Sequence, residues 1–207
     1  MENAAPHPLR ALRHPVLWTL VLASLIAALP LARRALAPPA HPLPVLGTVP
    51  AFRFTDQQGA AFGPEMLAGQ PWVADFIFTR CPTVCPLMTE RLAALQPKLG
   101  ERVHLVSVSV DPDFDTPEQL RAFAAQHGAV SPRWHFLTGD SAAIQRAVTD
   151  GFKIALVHDG PSDDVANLIH GVHVVLVDGQ GRIRGYYDSS DPDALQRLAR
   201  DAQQLAR

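Results

Sequence analysis

The 207-residue chain contains only two cysteines, so a scaffold stapled by many disulfides is excluded. Charged residues are few, 18% against 47% hydrophobic, which excludes a disordered, self-repelling chain. Basic charge is not in excess: 18 Lys and Arg stand against 20 Asp and Glu, a formal net charge of -2. Binding to a phosphate backbone is built on clustered Lys and Arg, so no nucleic acid is expected as a partner. No internal repeat is evident. What is present is concentrated. Both cysteines, Cys81 and Cys85, fall within five positions of one another in a proline-flanked run.

Proline is unevenly spread, with nine of the 19 in residues 1–50. That shift in composition marks a boundary near residue 45. Between Pro15 and Ala32 there is no charged residue. As a helix these 18 residues span roughly 27 Å, just short of the roughly 30 Å hydrocarbon core of a bilayer. Arg10 and Arg13 flank the segment on one side, Arg33 and Arg34 on the other, and Trp18 suits the interface. A buried core helix is disfavoured because the segment is apolar on all sides. Ala35-Leu36-Ala37 resembles a signal-peptide cleavage site, but Pro38 follows it directly and two arginines precede it. The expectation is an uncleaved anchor, whose orientation the balanced arginines do not set. The chain then divides into a tail (1–14), a transmembrane anchor (15–32), a stiff proline-rich spacer (33–47) and a folded domain (48–207). Residues 1–37 hold four basic residues and one acid, leaving 14 basic and 19 acidic, a net of -5, for the rest.

The domain reads as an α/β fold, a central sheet with helices on its faces. Residues 73–78 (VADFIF) form a short apolar run suited to a strand buried on both faces. Leu87, Met88, Leu92, Leu95 and Leu99 recur at helical spacing up to Gly100, with Pro97 expected to kink or fray the last turn. A second strand is expected over 103–110. Thr116-Pro117 opens a helix ending at Gly128. Further strands are expected over 134–137 and 172–177, with a helix capped by Ser141 and running to about Asp150 between them. A hairpin turn at 178–181 leads into a strand over 182–187, and Asp191-Pro192 starts a final helix.

Cys81 and Cys85 directly follow the first buried strand, at the sheet end where α/β folds commonly place chemistry. In a helical segment, a four-residue offset puts both sulfurs on one face. Two converging thiolates suit a soft metal or a reversible disulfide. The structural alternatives are a stabilising disulfide or two inert buried thiols. A loop this short makes the disulfide worth only about 2 kcal/mol, and Pro82 and Pro86 oppose a smooth buried helix. Arg80 stands next to Cys81 and is a candidate to favour its thiolate. Two sulfurs do not fill a metal site, and imidazole is the natural third ligand. Of nine histidines, His7, His14 and His41 lie in the tail or spacer, His104 and His135 lie in strands, and His127 ends a helix. His158, His170 and His173 remain open.

With these residues in view, the chain resembles the Sco/SenC family of copper-handling, thioredoxin-like proteins. The resemblance covers about residues 45–200 and is carried by FIFTRCPTVCP (76–86), VSVDPDFDTPEQL (108–120) and HGVHVVLVDGQGRIRGYYD (170–188). It implies a thioredoxin-like fold and a site for one copper, Cu(I) or Cu(II), per chain. The ligands it implies are Cys81, Cys85 and the histidine six residues before Leu176, which is His170. His173 falls where the family has no ligand. The family usually has Ser or Thr after the ligand histidine, where this chain has Gly171.

The resemblance also implies delivery of copper to the dinuclear copper centre of cytochrome c oxidase. The implied partners are the oxidase subunit that carries that centre, together with other copper carriers or thiol reductants. A single-pass anchor in a bacterial-type inner membrane would leave the domain on the periplasmic side. The alternative is a thiol–disulfide oxidoreductase using the same cysteines, one attacking and one resolving. Against it stand the three intervening residues and the absence of proline from residues 162–191. A thioredoxin-like reductase has two intervening residues and a proline facing its cysteines. Asp111 and Asp115 follow a buried strand at the same sheet end. They have two readings, a supporting role near copper or simple turn and cap chemistry.

Overall fold

The structure is a computed structural model. It describes residues 15–35, 42–129, 132–154, 157–158, 168–169 and 172–207. The chain divides into two units, Met1–His41 and Pro42–Arg207. In the first, Pro15–Ala35 forms one 21-residue helix, α1, where the anchor is expected. Side chains of α1 are described only within residues 15–29. Among the described residues, no helix is long and apolar enough to cross a membrane.

In chain order the second unit runs β1 (Gly47–Thr48), β2 (Phe54–Asp56), β3 (Ala61–Phe62), β4 (Trp72–Ile77), α2 (Val84–Leu99), β5 (His104–Ser109) and α3 (Pro117–Gln126). It continues with β6 (Trp134–Thr138), α4 (Ser141–Arg146), β7 (Val157–His158), β8 (Leu168–Ile169), β9 (His173–Val177), β10 (Arg182–Asp188) and α5 (Pro192–Leu205). Eight of these strands make one mixed sheet in the order β1-β10-β9-β4-β5-β6-β2-β3, and β7 pairs with β8 apart from it. The centre is parallel: β4 pairs with β5, and β5 with β6. β9 adds antiparallel on the other side of β4.

All six residues of β4 are buried, which is why its sequence shows no alternation. Successive side chains still point to opposite faces. Val73 and Ile77 pack with α2, α3 and α5, whereas Trp72, Ala74 and Phe76 pack with Ile144 of α4 and with Phe152. The two helix layers therefore bury both faces of the sheet, and β4 carries the cysteine loop out at its centre.

Several local features differ from the sequence expectation. Helix α2 starts at Val84, so Cys85 lies inside it, and it continues through Pro97 to Leu99. Pro97 is tolerated because only one hydrogen bond is lost in the final turn. The cap of α4 is Asp140, whose carboxylate accepts the Ala143 N–H at 2.8 Å, not Ser141. That helix ends at Arg146 and passes into a π turn over Ala147–Gly151. The end of the proline-rich stretch is fastened to the sheet edge. Leu46 donates to the Ile183 carbonyl at 2.9 Å, and Arg184 donates to the carbonyls of Pro44, at 2.9 Å, and Leu43. Prolines here have no N–H to offer but keep their carbonyls, and Arg184 supplies the donors. Residues 36–41 of the expected spacer lie outside the described residues.

Candidate metal centre

The site is built where β4 ends. Phe78 through Thr83 link the strand to α2, and the Cys81 N–H donates to the Phe78 carbonyl at 3.2 Å to turn the chain. Cys81 is 6% exposed and Cys85 is 0% exposed, and both are free thiols. The Cys85 N–H donates to the Cys81 sulfur at 3.3 Å. Thr83, at the N-cap position, makes no side-chain cap bond. The Cys81 sulfur thus accepts a first-turn amide at the N-terminus of a 16-residue helix. Burial pushes the Cys85 thiol well above the usual cysteine range. A backbone hydrogen bond at Phe78 opposes this shift, and the neighbouring Cys81 and Asp75 add to it. The two cysteines are therefore unlike. Both are buried in one core, Cys81 just before the helix and Cys85 inside it.

The β5–α3 loop is joined to the residues leading into Cys81. Asp115 accepts the Thr79 N–H at 3.0 Å, the Thr79 hydroxyl, and the Ser109 hydroxyl at 2.6 Å. Burial raises its pKa, and the bonds from Ser109 and Thr79 hold it back. Asp115 is therefore not the cap of α3. Thr116 is, in a reciprocal capping box with Gln119. The Arg80 guanidinium pairs with Asp111 at 2.7 Å and lies over the Phe114 ring at 4.4 Å. Its charge is directed at Asp111.

One residue of this region escaped the sequence reading. Asp75, in the middle of β4, is fully buried and accepts the Ser107 hydroxyl at 2.7 Å. Ser107 in turn accepts the Trp134 indole N–H at 2.9 Å. Burial, partly offset by Ser107, raises the Asp75 pKa to about 7. A lone acid inside the apolar run VADFIF was the signal that marked it.

The third expected ligand, His170, and Gly171 after it lie outside the described residues. His158 is described only through the pairing of β7 with β8. His173 is exposed at the start of β9, paired across the ladder with Asp188. Among the described residues no three His, Cys, Asp or Glu side chains gather as a metal-holding group. His104 and His135 stack on each other at 5.9 Å within the sheet. His127 ends α3 with its ring 3.3 Å from Glu90. These three take structural places, as expected of them.

A mixed sheet whose central parallel strand delivers two free thiols to a helix N-terminus is the thioredoxin-like arrangement. Residues 44–207 match the SCO1/SenC family model, and the chain belongs to that family. The SCO1 protein homolog of Bacillus subtilis is 39% identical over 144 residues, covering 68% of this chain and 73% of that one. A putative copper-binding protein of Stutzerimonas stutzeri is 29% identical over 197 residues, 92% of this chain and 94% of that protein. The solved structure of BsSco superposes with a TM-score of 0.70 at 34% identity, covering 80% of this chain and 97% of that one. BsSco is described as a Sco-family cytochrome c oxidase assembly protein with a disulfide switch.

Proposed function

We propose that this protein is a membrane-anchored copper chaperone that carries one copper on Cys81, Cys85 and His170. In this reading it delivers the metal to the dinuclear copper centre of cytochrome c oxidase. The observation that carries the reading is the free, buried thiol pair at the N-terminus of α2. Thiolate sulfur is the donor Cu(I) prefers, and Cu(I) accepts low coordination numbers. Two sulfurs and an imidazole bind copper while leaving room for the ligands of an acceptor. Copper is cargo here, so the chain's own task is to hold both thiols reduced and convergent. Family membership and the copper-binding relative support this assignment. The name SCO1 homolog and the oxidase-assembly description of BsSco support the destination.

Helix α1, with arginines at both ends, is read as the single-pass anchor that keeps the domain on the extracytoplasmic side of the inner membrane. On that side the thiols meet an oxidising environment. A Cys81–Cys85 disulfide would release copper, because both sulfurs must be reduced and deprotonated to bind.

The same free pair supports a second reading, a thiol–disulfide reductase acting on a partner's cysteines, in keeping with the disulfide switch described for BsSco. Reduction of a disulfide-bonded model protein separates the two. A reductase works equally well in His170→Ala, whereas a copper carrier loses metal in that variant and shows little reductase activity to begin with.

A further inference from the structure

Cys81 and Cys85 are held by different parts of the fold. Cys85 belongs to α2, and Met88, Leu92, Leu95 and Leu99 of that helix are buried with it in one core, whose edge Cys81 also joins. Cys81 precedes the helix, and the residues leading into it are fixed from the β5–α3 loop. Asp115 in that loop is 0% exposed, and its carboxylate takes both the backbone N–H and the hydroxyl of Thr79, two positions before Cys81. Ser109 at the end of β5 donates the remaining bond and ties the carboxylate to the sheet. Burying a carboxylate is unfavourable unless donors surround it, and here the donors are Thr79 and Ser109. Helix α3 makes no use of Asp115, because Thr116 caps it. The buried acid is therefore spent on the approach to Cys81.

We propose that Asp115 is a positioning residue for Cys81, acting through Thr79 to hold the Cys81 sulfur against the helix terminus and Cys85. The inference rests on the reading of the two cysteines as the copper pair. A loosened clip moves Cys81 more than Cys85, since Cys81 lies on the segment that Asp115 clips and Cys85 is held within α2. Cys81 then becomes more accessible, and the pair is less well preorganised for copper.

The test uses the reduced full-length protein in detergent, with Asp115→Asn beside the unaltered chain. One readout is the rate at which iodoacetamide alkylates each cysteine at fixed pH, resolved by peptide mapping. In that reaction the thiolate sulfur takes the carbamoylmethyl group and iodide leaves. The other readout is Cu(I) affinity in competition with a chromophoric chelator. Alkylation of Cys81 is expected to rise about 10-fold with Cys85 unchanged, and Cu(I) binding to weaken about 10-fold. Asp178→Asn, which removes a buried carboxylate elsewhere in the domain, is expected to leave both within about twofold. If Asp115→Asn does not fold, Thr79→Val decides, since it removes only the hydroxyl bond and is expected to raise Cys81 alkylation about threefold. Unchanged Cys81 reactivity in a folded variant, or an equal rise in Asp178→Asn, overturns the inference. Absence of copper binding by the unaltered chain would instead overturn the copper reading, while the alkylation result still judges the role of Asp115.

Discussion

The backbone N–H of Cys85 points at the sulfur of Cys81, 3.3 Å away. That contact makes a proposed copper ligand serve also as the cap of α2. The Thr83 side chain, at the N-cap position, makes no cap bond.

The double role has a measurable consequence. Cys81→Ser keeps an acceptor for the Cys85 N–H, and its stability to urea is expected to stay within about 0.5 kcal/mol of the unaltered protein. Cys81→Ala removes that acceptor and is expected to cost about 1 kcal/mol. Both lose copper. Equal stability of the two variants would show that the sulfur is not acting as a cap.

Asp75 makes stability depend on pH in the opposite sense to most acids. Its pKa is raised from 3.8 to about 7 by burial, so the folded chain keeps a proton that the unfolded chain gives up. This group's contribution is favourable at low pH and declines as pH rises from about 4 to about 7, by on the order of 4 kcal/mol. Asp75→Asn is expected to remove that slope. Urea midpoints measured across this range check it, and an unchanged slope in the variant would contradict the assignment.

Asp178 behaves the other way. Burial alone would raise its pKa, but the Arg182 N–H and the Arg184 and Arg182 guanidinium groups outweigh burial and lower it. Its stabilising effect is present above the ordinary carboxylate range and is lost as pH falls through the lowered pKa. Asp178→Ala leaves Arg184 without its partner at 2.6 Å and is expected to destabilise by about 3 kcal/mol at neutral pH. Arg184→Ala frees the Leu43 and Pro44 carbonyls. It is expected to speed hydrogen exchange at Leu46 and cleavage before β1 in limited proteolysis. Unaltered exchange at Leu46 would show that β1 is held without Arg184.

Much of this architecture was legible in the sequence, for physical reasons that differ by element. The run 73–78 marks β4 because a strand buried on both faces carries a near-continuous apolar run in place of alternation, here interrupted only by Asp75. Thr116-Pro117 and Asp191-Pro192 gave helix starts because cap and first-turn preferences are local. Strands β1, β2 and β3, of two or three residues, are too short to show a period and are set by their partners across the sheet. Helix α2 starts ahead of its leucine repeat, at Val84, where periodicity gives no signal. At the site, the cysteine spacing was readable directly. The tie between Asp115 and Thr79 was not, because it joins residues 36 positions apart through a loop. His170 was singled out by family resemblance alone, since spacing does not separate it from His158 and His173.

Copper stoichiometry and affinity of the reduced full-length protein, measured with and without His170→Ala, bear most directly on the proposed function. One copper per chain, with binding weakened at least about 10-fold in His170→Ala, is the predicted result. A ratio near zero for the unaltered chain, or identical affinity in His170→Ala, would contradict a copper carrier that uses Cys81, Cys85 and His170.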